Sequence, residues 1–165
     1  DYDLNAHAAR SGEKLDYFDP TSGERYTPHV IEPAAGATRT MMAFLMAAYD
    51  EEEVRGETRL VLHLHPRLAP YKVAVLPLSK KPELTGPAQD LLAQLQVHYM
   101  CDYDETQNIG KRYRRQDELG TPLCVTYDFD SLEDEAVTIR DRDSMEQVRV
   151  PISEVLSAVR DRLGF

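Results

Sequence analysis

Cysteine is scarce: Cys101 and Cys124 are the only two, and their separation fits no metal or redox motif. That excludes a disulfide scaffold or a cysteine-rich metal knuckle, and reduced thiols in a cytoplasmic protein are the expectation. No apolar run approaches the roughly 18 residues of a membrane span, and no signal-peptide layout is present. Basic residues are in deficit, with a formal net charge of −10 over 165 residues. A surface that grips nucleic acid indiscriminately is thereby excluded, whereas a local basic patch reading one particular RNA is not. Repeats and low-complexity tracts are absent. The sequence opens at Asp1 in the middle of a pattern, DYDLNAHA, which is expected of part of a longer chain.

What is present is organised around Tyr26–Tyr49, YTPHVIEPAAGATRTMMAFLMAAY. Tyr26 to Ile31 reads as a strand ending at Glu32-Pro33. Ala34-Ala35-Gly36-Ala37 offers little side chain, so a ligand can approach the backbone there. A helix is predicted from Thr38, with Met42, Leu45, Met46 and Tyr49 on one face. A helix start after a glycine turn suits anions, because its first amides are unpaired, and Arg39 adds a cation suited to phosphate. Pattern alone favours an ordinary packing junction.

Before this stretch, Asp1 to Gly12 reads as loop or short helix. A hairpin is predicted from Leu15–Asp19 and Glu24–Ile31 around Asp19-Pro20-Thr21-Ser22-Gly23. After it, Asp50 to Glu53 reads as the solvated end of an apolar segment. Arg59 to His65 alternates, placing Leu60, Leu62 and Leu64 opposite Val61, His63 and His65. His63 and His65 lack a third ligand, and His7 has no partner at useful spacing, so no metal site is predicted. Pro66 to Pro70 breaks the pattern and marks a domain boundary, giving domains 1–66 and 67–165.

Beyond the boundary, strands and helices alternate. Lys72–Leu78 is a continuous apolar strand of the kind covered on both faces. A helix follows over Thr85–Tyr99, then a short strand over Met100–Tyr103 and a helix over Asn108–Leu119. Strands are predicted at Leu123–Phe129, Ala136–Arg140 and Val148–Val150. Ser153 is the expected N-cap of a last helix, with Val155, Leu156, Val159 and Leu163 inward. This order predicts an α/β layer fold with a mixed sheet flanked by helices. Lys111, Arg112, Arg114 and Arg115 are placed near solvent on the second of these helices, with Ile109, Tyr113 and Gln116 facing the sheet. Such a cluster suits phosphate contacts, although pattern alone favours a solvated face paired with Asp104, Glu105, Asp117 and Glu118. Arg140-Asp141-Arg142-Asp143 reads as a salt-bridged turn.

The residue strings are more specific than these patterns. VIEPAAGATR followed by an apolar helix and AYDEEE resembles the third signature motif of class II aminoacyl-tRNA synthetases, in the glycyl-tRNA synthetase form V-[IV]-E-P-S-A-G-x-D-R. LHPRLAPYKVAVLPL, NIGKRYRRQDELGTPLCVTYDFD and VTIRDRDSMEQVRV resemble that family's anticodon-binding domain, in the family's order. The resemblance implies the edge of a class II antiparallel catalytic sheet followed by an α/β anticodon-binding domain. It further implies ATP-dependent activation of glycine with Mg²⁺, transfer to tRNA(Gly), and a homodimer formed through segments outside this sequence. Carried over by position, Glu32, Pro33, Ala34, Ala35 and Gly36 border glycine, and Gly36, Ala37, Thr38 and Arg39 meet ATP. Arg39 is the catalytic candidate, offsetting charge on the phosphates, and Glu32 would face an ammonium group or the magnesium accompanying ATP. Lys111, Arg112, Arg114 and Arg115 would touch tRNA. Two positions depart from the pattern: Ala34 replaces the usual serine, and Thr38 a common aspartate. The departures keep open a non-catalytic RNA-binding module derived from a synthetase. A prolyl, threonyl or histidyl enzyme is opposed by the EPAAG string.

Overall fold

The computed structural model describes residues 1–165 as two compact units, Asp1–Arg39 and Thr40–Phe165.

The first unit is held by exposed polar contacts, among them the Thr27 hydroxyl donating to Asn5 Oδ1 at 3.1 Å, and none of its residues is buried. Helix α1, Tyr2–Ser11, has Asp3 in its first turn and Arg10 in its last, both favourable to the helix dipole. It closes at Gly12, whose φ of 74° needs a glycine and whose N–H donates to the Ala8 carbonyl. Strands β1, Tyr17–Phe18, and β2, Arg25–Tyr26, form the predicted hairpin in shortened form, with Tyr17 opposite Tyr26 and their rings edge-on at 5.9 Å. Its turn is tied by the Asp19 carboxylate, which accepts from the Thr21 N–H and the Ser22 hydroxyl, both at 2.8 Å. The strand expected over Tyr26–Ile31 stops at Tyr26. Thr27 to Gly36 has no regular structure, because no neighbouring strand is there to take its backbone groups.

Helix α2, Ala37–Ala48, starts one residue before its expected place. Its predicted apolar face is uncovered: Met42, Leu45 and Met46 are exposed, Met46 by 69%, and only Ala48 is buried. Tyr49 lies beyond the helix. It opens strand β3, Tyr49–Val54, so Asp50 to Glu53 is a strand and not a solvated helix end. Its partner is β4, Glu57–Leu62, antiparallel, with Glu52 opposite Arg59 and Glu53 opposite Thr58, whose hydroxyl donates to the Glu53 carboxylate at 2.9 Å. Cross-strand pairing of this kind makes an acidic strand tenable. Of the two alternating faces, the one carrying Arg59 and Val61 is buried in this strand and Leu60 on the other is exposed.

The core is a five-stranded mixed sheet, as expected. Its strands are β5 Val73–Pro77, β6 Cys101–Tyr103, β7 Leu123–Tyr127, β8 Ala136–Asp141 and β9 Gln147–Pro151, in the order β6-β5-β7-β8-β9. β5 runs parallel to both neighbours, and β8 antiparallel to β7 and β9. Every residue of β5 and of β7 is buried, because helices cover both faces. Val73, Val75, Leu123 and Val125 pack with Leu84, Ala88, Leu91 and Leu95 of α3, Pro82–Gln96, and with Val155, Val159 and Leu163 at the chain's end. Ala74, Leu76 and Cys124, on the opposite pleat, pack against Ile109 and Tyr113 of α4, Ile109–Leu119. α3 begins three residues earlier than expected because Pro82 is accommodated in its first turn. A short helix, α5, Ser131–Asp134, precedes β8. The last helix, α6, Val155–Leu163, follows a 3-10 turn over Ile152–Glu154. Ser153 lies inside that turn and does not cap, which corrects the expectation for it. Both thiols are free, and burial pushes Cys101 up to about 11 and Cys124 up to about 12.

Candidate functional site

Glu32, Pro33, Ala34, Ala35 and Gly36 form an exposed, irregular stretch leading into α2, and Ala37, Thr38 and Arg39 make the first turn of that helix. The unpaired amides of α2 therefore fall on the residues proposed for ATP. A Cβ on Gly36 would meet only the Arg39 Cβ, at 3.7 Å, so the backbone there stands open to an approaching molecule. Glu32 lies on the rim of a hollow of about 500 Å³ beside α1, shared with Asp3, His7 and Val30.

Helix α4 owes its start to Asn108, whose side chain accepts the Lys111 N–H at 2.9 Å, and its end to Gly120 at φ 76°. The face predicted to meet the sheet does so, but the four cations do not share the other. Arg112 follows Ile109 by three residues and precedes Gln116 by four, which puts it on the inward stripe. It is 2% exposed, donating to the carbonyls of Thr106 at 3.1 Å and Gln107 at 2.8 Å and to that of Pro77. Its expected solvent placement is thus corrected, because its fork is used up fastening the loop before α4 to the end of β5. Arg115 is half-buried and tied to Asp104 and Thr106. Burial alone would raise the Asp104 carboxyl, but the bonds from Thr106 and Arg115 hold it below its ordinary value. Lys111 is exposed and Arg114 half-exposed, and neither is drawn into an ion pair.

Sequence reasoning missed a buried charge network joining β4, α4 and β8. Asp117 Oδ2 accepts from Arg59 Nε at 2.9 Å, and Arg140 grips both oxygens of Asp117 at 2.8 and 3.1 Å. Arg59 also meets Glu52 at 2.6 Å and the Arg142 carbonyl. Arg142 donates to the carbonyls of Leu64 at 2.9 Å and Gly120 at 2.8 Å while holding Asp143. The predicted salt-bridged turn is therefore partly interior, since Arg140 and Arg142 are both buried. His63 Nδ1 meets Asp143 at 2.6 Å and Nε2 meets Glu52 at 3.1 Å, whereas His65 accepts from the Arg67 N–H, so the two histidines do not converge. Asp50 completes a cluster with Glu52 and His63 whose ligand-type atoms lie within 4.8 Å of one another. The one signal in the sequence was Arg59 sharing a strand face with Val61.

A family profile described as anticodon binding domain matches residues 72–162, which contain all five strands of the sheet. Over its whole length the chain is 56% identical to the glycine–tRNA ligase of Clostridium perfringens (strain 13 / Type A) across 170 aligned residues. It is 57% identical to that of Staphylococcus saprophyticus and 58% identical to that of Staphylococcus aureus (strain JH9), each across 167 residues. The chain spans 36% of the length of these curated relatives. With the profile taking in the complete mixed sheet and the likeness to glycine–tRNA ligases running from end to end, the chain belongs to the anticodon binding domain family.

Proposed function

We propose that the chain is the C-terminal part of a glycine–tRNA ligase, in which 1–66 ends a class II catalytic domain and 67–165 binds the anticodon region of tRNA(Gly). The observation that carries this reading is 56–58% identity along the entire chain, through the Glu32–Arg39 stretch as well as the sheet domain. Glu32 to Gly36 would border glycine, with the Glu32 carboxylate facing its ammonium group. The first turn of α2 and Arg39 would meet ATP, Arg39 offsetting charge on the α-phosphate as the glycine carboxylate attacks it. Glu32 is the one carboxylate in that stretch, and a single exposed carboxylate does not make a magnesium site by itself. The uncovered apolar face of α2 is where the rest of a catalytic sheet would pack, and a homodimer would form through segments outside this chain. The enzyme would work in the cytoplasm, consistent with the lack of any helix long and apolar enough to cross a membrane.

The test is ATP–pyrophosphate exchange by the full-length protein, screened over all amino acids. Exchange with glycine alone is expected, and Arg39→Ala should lower it by about 10²- to 10³-fold. An absence of exchange with tRNA binding intact would instead identify a repurposed RNA-binding module. Of the four cations, Lys111 and Arg114 would contact tRNA phosphates, since Arg112 is enclosed and Arg115 is engaged by Asp104.

A further inference from the structure

Strands β3 and β4 are joined by Arg55-Gly56, with φ of 56° and 80°. A two-residue turn with both centres left-handed favours Asn-Gly or Gly-Gly, and an arginine at the first centre goes against that preference. Met145, in the turn between β8 and β9, has a φ of 58° and is likewise not glycine. These two strained residues line the same hollow, of about 240 Å³, together with Gly110 in the first turn of α4, Tyr113, Arg114 and Arg140. Residues held in sparsely populated backbone regions gather where a site is being shaped.

The charges in the hollow are not balanced. Arg140 stands 4.8 Å over the Tyr113 ring and is neutralised by Asp117, while Arg59 behind it is neutralised by Glu52. Arg55 and Arg114 are left without ion-pair partners, so the lining carries two uncompensated guanidiniums beside the positive end of α4. The volume is below the roughly 300 Å³ at which drug-sized ligand sites begin. A phosphate group, chelated by two guanidiniums, fits within the hollow and matches its charge.

We propose that this hollow seats one phosphodiester of a bound RNA strand, with Arg55 and Arg114 as its two ligating residues. The β3–β4 hairpin, which lies outside the family match at 72–162, is on this view an arm of the RNA-binding surface. The assignment rests on the tRNA-binding reading above. It places a strong anion contact in a chain whose net charge is −10.

The experiment titrates the full-length protein with tRNA at several salt concentrations, using Arg55→Asn, Arg114→Gln, the double variant and Arg160→Gln as a control on α6. Each single change should weaken binding about tenfold at low salt. The double variant should lower the slope of log K against log[salt] by about 0.7–0.9, the value for one phosphate and not two. Arg55→Asn should melt no lower than the parent, and about 1–2 °C higher, because asparagine suits the turn. Affinity and stability would then move in opposite directions, which a merely structural Arg55 would not produce. If tRNA binds and neither affinity nor slope responds to the substitutions, the hollow is not the contact, although the tRNA reading stands. If the parent binds no tRNA, both fall. Inorganic phosphate that shifts the Gly110 amide resonance, with RNA affinity indifferent to both substitutions, would mark a free-anion site and overturn the RNA assignment.

Discussion

Asp1–Arg39 and Thr40–Phe165 solve the folding problem by different means. In the first unit the contacts are solvent-exposed: a carboxylate in a turn, two tyrosine rings edge-on, Arg25 at 3.3 Å from Asp16, and the Thr27 hydroxyl donating to Asn5 Oδ1 at 3.1 Å. In the second unit a sheet is covered on both faces, and charged groups far apart in sequence are buried against one another. The stretch most specific for chemistry, Glu32 to Arg39, sits in the unit with no buried residue. Chemical specificity and self-sufficient packing are thus distributed separately along this chain. An exposed loop contributes little to a core, and one short hairpin cannot supply the deficit.

The sharpest way to break that contrast is to remove one carboxylate from each unit. Asp117→Ala leaves Arg59 and Arg140 buried without their shared anion, and the expected loss is about 3–5 kcal/mol. Glu32→Ala removes an exposed carboxylate, and its effect on stability should stay within about 0.5 kcal/mol. Urea unfolding followed by circular dichroism gives both numbers. Equal losses would show that the first unit depends on interior-like contacts after all.

Two glycines make the same comparison with the backbone held constant. Gly23 and Gly120 have φ of 74° and 76°, so alanine is strained equally at either. At Gly23 a Cβ meets nothing within 4 Å, and Gly23→Ala should cost about 1 kcal/mol from conformation alone. At Gly120 the Cβ would lie 2.9 Å from the Leu62 carbonyl oxygen and 3.0 Å from Leu64, where β4 closes on the end of α4. Gly120→Ala should therefore cost about 2–3 kcal/mol in thermal or urea unfolding, the excess measuring how tightly the hairpin is seated.

A smaller, pH-dependent difference follows from the ion pairs of Asp128 and Asp143. Burial would raise the carboxyls of Asp128 and Asp143, but Arg149 with Ser131, and Arg142 with His63, hold them below the usual range. Such groups bind protons more weakly when folded. Their stabilisation is complete above the unfolded value of about 4 and is lost as pH falls through the lower folded value. Cys124 behaves oppositely. Pushed up to about 12 by burial, it favours the folded state below the ordinary thiol value and ceases to do so as pH rises beyond it. Melting temperature should change little between about pH 5 and 8, then fall below about 4 and above about 9. Arg149→Gln should flatten the acid limb, and an unaltered limb would detach it from Asp128.

How much of this was legible depended on sequence distance. Val73–Pro77 was readable because a strand covered on both faces is apolar at every position. The motif from Glu32 to Arg39 was readable as a contiguous string. Strand β3 was not, because Asp50 to Glu53 looks solvated until Glu57 to Leu62 is laid beside it. Arg59 and Asp117 lie 58 residues apart, and the burial of each is tolerable only with the other present. The charge of Arg112 points to solvent while its helical phase points inward, and the phase prevails. The Arg55–Arg114 hollow draws on three separate segments and two left-handed residues, none of which announces itself locally.

The smallest expected effect bears on the least packed residue of the motif. Ala34 stands where the resembled family carries serine, and its side chain is exposed in a stretch without regular structure. Ala34→Ser therefore has nothing to disturb, and stability should stay within about 0.5 kcal/mol. If the position borders glycine, the hydroxyl gains one neutral hydrogen bond to the α-amino group, about 1 kcal/mol or roughly fivefold in KM for glycine. The reading is glycine-dependent exchange at varied glycine concentration in the full-length protein. A lower KM with kcat unchanged would mark uniform binding and place Ala34 in the pocket. An unchanged KM would mean the hydroxyl does not reach the amino group, and the likeness to the glycine pocket would then have to rest on Glu32 and Gly36.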